Sequence, residues 1–171
     1  MVSIRPEQST DPPRVFEIQA EAFGRRNEAE LVNLLRASAQ PQISLVAEES
    51  GRVVGHIFFS PVEIESAGSP RAAGLAPVAV APDQQGRGVG AALIRAGLER
   101  CPGVGWKAVF LVGAPGYYSR FGFGLAARRG FSYGDPLFDS VLQVHELEPD
   151  ALDGHGGLVR FHRSFAETGC G

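Results

Sequence analysis

Apolar positions along the first forty residues change their spacing twice, and each change marks an element. Val2 to Pro6 reads as a short strand. Thr10 or Asp11 can then cap a helix whose first turn tolerates Pro12 and Pro13, because amides there lack helical partners in any case. Val15, Ile18 and Ala22, with Phe16 and Phe23 beside them, recur at helical spacing up to Gly24. A second helix follows, with Leu31, Leu34 and Leu35 on its inner stripe.

From Ile43 onward the pattern is that of strands. Ile43 to Glu49 and Arg52 to Glu65 are rich in Val, Ile and Phe and flank Ser50-Gly51, a pair suited to a tight hairpin turn. They are expected to pair antiparallel. Pro61 has no amide hydrogen for a ladder, so an edge, a bend or a bulge is expected there. Residues 67–70 read as a loop. Gly74 to Ala81 is the next strand, Gly88 to Arg100 a helix with Leu93, Ile94 and Leu98 facing inward, and Trp106 to Val112 another strand. Such a unit sets its two strands parallel within a sheet whose other neighbours read as antiparallel. A short helix from Pro115 to Arg120 comes next. Ser140 to Leu147 and Leu158 to Phe165 read as closing strands on either side of the turn-rich residues 153–157.

The pattern therefore predicts a mixed α/β fold. No fixed-period repeat or linker divides the chain, and 171 residues suffice for one substantial core, so a single domain over 1–171 is expected. The 16 basic and 19 acidic residues leave a formal charge of -3 and form no run of one sign, which speaks against nucleic acid as a partner. No stretch approaches the roughly 20 apolar residues that span a bilayer, and Met1 to Pro6 lacks the regions of a signal peptide. No membrane association and a cytoplasmic location are the expectations. Cys101 and Cys170 lack metal-ligand or disulfide-scaffold spacing, as do His145, His155 and His162, so free thiols and no metal are expected.

The chemistry concentrates where the strand Pro77-Val78-Ala79-Val80-Ala81 runs into Gln85-Gly86-Arg87-Gly88-Val89-Gly90 at a helix start. Glycines let backbone approach a ligand, and the first amides of a helix have no internal partners and point at any anion placed there. A Walker loop is ruled out, because Gly90 is followed by Ala91-Ala92 instead of Lys and a hydroxyl. A dinucleotide fingerprint fits Gly86, Gly88 and Ala91 by spacing. The next strand, however, ends at Val112-Gly113 without an acid for a ribose, and the chain is short for the usual two-half sheet.

Gln85-x-x-Gly88-x-Gly90 resembles the R/Q-x-x-G-x-G/A motif of the GNAT superfamily of N-acetyltransferases. The resemblance extends upstream to the strand from Leu75 to Pro82 and downstream to Tyr117-Tyr118-Ser119-Arg120-Phe121-Gly122-Phe123. Gly55 to Val62 and Val144-His145-Glu146-Leu147 add a likeness to the YhbS-type acetyltransferases within that superfamily. What the resemblance implies is a mostly antiparallel sheet of about six or seven strands with helices on both faces and one splayed parallel pair. It also implies acetyl-CoA as acyl donor and a primary amine of a small molecule or peptide as acceptor, joined by direct attack in a ternary complex; a homodimer is compatible with it.

On that resemblance Val78, Ala79 and Val80 meet the pantetheine arm, Gln85 opens the motif, and the amides of Gly86, Arg87, Gly88, Val89, Gly90 and Ala91 hold the pyrophosphate. Tyr118 is the expected proton donor to the leaving thiolate. Many relatives carry a glutamate on the fourth strand, and residues 74–80 here contain no acid or histidine. His56, Glu63 and Glu65 are the substitutes considered for the base, with Glu63 also a substrate contact, and Glu21 and Phe23 are expected to line the acceptor pocket. The competing reading is a catalytically silent acyl-CoA sensor or partner-binding domain. A nicotinamide-dependent oxidoreductase rests on glycine spacing alone.

Overall fold

Alternating apolar residues build a nine-stranded sheet through the middle of the computed structural model, which describes residues 1–171. The chain runs through β1 (Ser3–Pro6), α1 (Pro12–Phe23), α2 (Asn27–Ser38), β2 (Ile43–Glu49), β3 (Arg52–Ile64) and β4 (Ala72–Val80). It continues through α3 (Val89–Arg100), β5 (Ala108–Val112), α4 (Pro115–Tyr118), β6 (Gly124–Leu125) and β7 (Phe131–Ser132). It closes with α5 (Pro136–Asp139), β8 (Leu142–Glu146), β9 (Gly157–Arg160) and α6 (Ser164–Glu167). The main path of the sheet is β1-β2-β3-β4-β5-β8-β6, while β9 pairs the far end of β3 and β7 pairs β9.

Neighbours are antiparallel except β4 with β5 and the two-residue β7 with β9. The expected mixed, mostly antiparallel sheet is present; the two-residue strands β6 and β7 carry the count past seven.

One face of the sheet buries one apolar helix stripe and the other buries two. On one side Val89, Leu93 and Ile94 of α3 pack on Leu45, Ile57, Phe59 and Leu75. On the other, Val15 and Ile18 of α1 and Leu31 and Leu35 of α2 pack on Val46, Phe58 and Ala79. A third cluster, with Phe110, Phe131, Leu142 and Val144, fills the C-terminal half. Burying one such Leu, Ile or Phe side chain contributes about 1.5–3 kcal/mol, so these stripes and not helix propensity hold the layers together.

Three local expectations change, and the edge expected at Pro61 is found. Leu34 stays 39% exposed, because Leu31 and Leu35 already fill the stripe that meets the sheet. Asp11 stands at the start of α1 but does not cap it; its carboxylate accepts from the Arg5 guanidinium and the Gln8 amide instead. Pro61 is an edge residue: β2 pairs with β3 only as far as Phe59 and β9 begins at Glu63, leaving a gap beside it. The strand expected over Leu158 to Phe165 ends at Arg160, since Phe161 leaves the ladder to lie against Gly74 and Phe165.

The feature that positions the site is a fork. Pairing of β4 with β5 covers Ala72↔Ala108 to Gly74↔Phe110 and then stops. Just beyond, Leu75 pairs with Phe59 and Val78 with Ile57, so three steps along β4 match two along β3, which is a bulge at Ala76-Pro77. Side-chain parity changes accordingly. Ala73 and Leu75, and after the bulge Val78 and Val80, face the same α3-side cluster.

Candidate functional site

At the end of β4 the chain makes a short 3-10 turn, Pro82–Gln84, and enters α3 through glycines. Gly86 and Gly88 hold φ of 77° and 82°, a region that side chains avoid, and Gly88 is the residue from which α3 starts. No side chain caps the helix. The first amide of the helix to find an acceptor is that of Ala92, on the Gly88 carbonyl, so the amides of Val89, Gly90 and Ala91 have no protein partner. Those of Gly86, Arg87 and Gly88 have none either, and residues 85–88 are exposed. Open donors at the positive end of a helix dipole form a cradle for an anion. Exposed Arg87 stands at its rim, and Tyr117 closes one side, its hydroxyl 3.8 Å from where a Cβ on Gly90 would lie.

From this cradle the unpaired edge of β4 leads into the fork. The Gln85 side-chain amide donates to the Val80 carbonyl at 3.0 Å, so the main-chain groups of Val80 face away from β3. The Ala81 amide donates to Val54 of β3, and by strand alternation Val78 faces the opening as Val80 does while Ala79 pairs with β3. The fork holds a cavity of about 260 Å³ lined by Leu75, Pro77 and Val78 of β4, Val112 of β5, Tyr118, and Phe23, Glu28 and Leu31 from the helices above. Phe165 and Cys170 complete its wall.

Tyr118 enters this cavity because Gly113 has no side chain: a Cβ there would stand 2.6 Å from the Tyr118 ring. Burial and the neighbouring Tyr117 raise the phenol above its ordinary pKa of about 10, keeping it protonated. Its hydroxyl has no hydrogen-bond partner in the protein and is free to donate. Glu28 is the one charged residue of the lining. Burial pushes its carboxyl up, but the two hydrogen bonds from Arg25 and that cation's charge outweigh burial and leave the carboxylate ionised. The Cys170 thiol also points at it, 3.7 Å from Oε2.

Of the residues singled out from sequence, Phe23, Val78 and Tyr118 meet in this cavity, and Val80 and residues 85–91 continue from it to the helix mouth. Four others lie elsewhere, and Ala79 turns its main-chain groups to β3 rather than to the opening. Glu21 is on the exposed side of α1. Glu63 sits opposite Arg160 on the β3–β9 ladder, and Glu65 is ion-paired with Arg160. His56 is wholly enclosed, with both ring nitrogens bonded inside the protein. Sequence reasoning missed Glu28 and Cys170. They are 142 positions apart and meet only because α6 packs on α2. A larger cavity of about 560 Å³ opens beside Glu7, Arg36 and Arg100, but it borders neither the helix mouth nor Tyr118, so volume alone does not mark the site.

Residues 3–126 match the family model described as an acetyltransferase (GNAT) domain. Among curated sequences, the uncharacterized N-acetyltransferase YhbS of Escherichia coli K12 is 37% identical over 163 residues, covering 95% of this chain and 97% of that protein. YjhQ of the same strain, also an uncharacterized N-acetyltransferase, is 37% identical over 155 residues, covering 85% and 86%. The crystal structure of E. coli YhbS in complex with CoA superposes with a TM-score of 0.89 at 36% identity, over 96% of this chain and 92% of that one. A GNAT family acetyltransferase from Brucella melitensis, solved in complex with acetyl-CoA, gives 0.79 at 37% identity, over 96% and 98%.

Proposed function

The chain belongs to the GNAT acetyltransferase family, and from that premise we propose that it transfers the acetyl group of acetyl-CoA to a primary amine of a small molecule or peptide by direct attack in a ternary complex. The observation that carries the reading is the continuity of the site. A row of unpartnered amides from Gly86 to Ala91 opens onto the bare edge of β4, and that edge runs into the cavity holding Tyr118. The pyrophosphate fits the row, with Arg87 as a mobile counter-charge. The pantetheine arm fits the Val78 and Val80 main-chain groups as a surrogate strand, and the thioester then reaches the Tyr118 hydroxyl. The solved complexes of YhbS with CoA and of the Brucella protein with acetyl-CoA support the same donor.

In the reaction, the neutral amine nitrogen attacks the thioester carbonyl carbon. The C–N bond forms and the C–S bond breaks as the tetrahedral intermediate collapses. The departing thiolate takes the Tyr118 proton, and the nitrogen's surplus proton replaces it. Glu28 supplies the acid that Glu21 was expected to bring to the acceptor pocket. Held ionised by Arg25, it attracts a cationic acceptor more readily than it stores a proton, so the amine's first proton leaves through water.

A thiol-release assay across diamines, amino sugars and peptides tests the reading. Turnover on at least one cationic amine is expected, together with a raised KM for that amine and little change in the acetyl-CoA KM in Glu28→Gln. Tight acetyl-CoA binding without release on any amine would favour the silent sensor instead.

A further inference from the structure

His56 sits in a buried chain of hydrogen bonds whose direction is fixed at every link. Gln19 Nε2 lies 2.9 Å from its Nδ1 and Ser44 Oγ 2.8 Å from its Nε2. Ser44 Oγ also donates to Glu7 Oε1 at 2.7 Å, and Glu7 takes two bonds from Arg36, at 3.1 and 2.6 Å. A carboxylate paired with arginine only accepts, so the Ser44 proton must point to Glu7. Ser44 therefore receives its second bond from the ring, which places the imidazole hydrogen on Nε2. Nδ1 of the neutral ring is then an acceptor, and Gln19 has to offer its NH₂. The Gln19 carbonyl oxygen is correspondingly buried without a partner.

We propose that His56, as the Nε2–H tautomer, is a positioning residue for the acceptor side of the cavity. The chain it centres reaches both helices that roof the fork. Gln19 lies one helical turn before Phe23 on α1, so fixing it fixes the face that presents Phe23. Arg36 anchors the C-terminal end of α2, whose first half carries Glu28 and Leu31. The phosphate cradle lies on the other face of the sheet, with α3, and no link of the chain reaches it. The ring faces Asp11 just ahead of α1 and Arg36 from α2 as its charged neighbours; enclosure and Arg36 push its pKa down to about 3, so the ring stays neutral across the working pH range.

This role rests on the reading of the cavity as the acceptor site, and one arm of its test is independent of turnover. In a ¹⁵N spectrum of the imidazole nitrogens of wild type, Nε2 is expected to be pyrrole-like and Nδ1 pyridine-like, unchanged between pH 7 and 5. An Nδ1–H pattern, or titration near 6.5, overturns the proposal. In Gln19→Met and Ser44→Ala the Phe23 ring resonances should shift while the Val89 methyls at the helix mouth stay in place; the reverse, or no movement, overturns it. With an acceptor in hand, both variants should raise the amine KM about 10-fold and leave the acetyl-CoA KM within about 2-fold. Equal changes in the two constants refute positioning. A wild type that turns over no amine refutes the reading of the cavity, and the spectra still decide the role of His56.

Discussion

Tyr118 and His56 show how burial assigns opposite work to two titratable side chains. Tyr118 is half-enclosed and lines the cavity, and its hydroxyl has no protein partner, so on the proposed reading the proton it gives up goes to a ligand. Tyr118→Phe should keep acetyl-CoA affinity in calorimetry and lose about 100-fold or more in kcat; full activity would remove the phenol from the mechanism. His56 binds a proton below about 6.5 in the unfolded chain but, in the folded one, only near pH 3. Acid therefore favours unfolding between those values. Its contribution to stability is complete above 6.5 and declines as pH falls toward 3, by up to about 1.4 kcal/mol per pH unit. The unfolding midpoint should be lower at pH 5 than at pH 7, and His56→Asn should narrow the difference; equal wild-type midpoints would contradict the burial argument.

At the level of elements, the turn into α3 makes a separable prediction for two glycines that look alike in sequence. Gly88 needs its left-handed φ, whereas a Cβ on Gly90 would meet only ordinary contacts at 3.7 and 3.8 Å. Gly88→Ala, at about 1–2 kcal/mol for the conformation, should weaken acetyl-CoA binding roughly 10-fold by turning the amides away. Gly90→Ala should leave affinity within about 2-fold, and calorimetry on the two variants decides. The cradle itself was readable, because glycines between an apolar strand and a helix leave few alternatives. The hairpin at Ser50-Gly51 and the stripes of α1 and α3 were readable for the same local reason. The bulge at Ala76-Pro77 was not. An apolar run such as Leu75 to Val80 carries no alternation from which a register slip could be seen. Nor was the end of β9 visible, since Phe161 looks like a strand residue until Gly74 offers it a place to pack. Glu28 read as a polar helix position, and its meeting with Cys170 depends on contacts no local pattern carries.

Across the whole molecule, the sheet is continuous from β1 to β6 but its two halves are joined at β4 and β5 by only three residue pairs, Ala72 to Gly74. A ligand lying along the open edge of the fork would bridge the halves and tie α3 to Tyr118. Acetyl-CoA at about 100 times its dissociation constant adds about 2.7 kcal/mol of stability, which for a chain of this length raises the unfolding midpoint by roughly 5–10 °C. Thermal denaturation with and without the nucleotide measures this, and an unchanged midpoint would sink the cofactor assignment.

The bulge in β4 also makes the opening a matter of counting. With one residue fewer between Leu75 and Val78 the strand would regain strict alternation and lose the bend that a bulge imposes, β4 could go on pairing with β5 beyond Gly74, and no edge would be left for a guest chain. Single-residue deletions at this place should therefore abolish the groove outright, whereas side-chain changes there only reshape its walls. Length at this point of the sequence is under tighter control than chemistry.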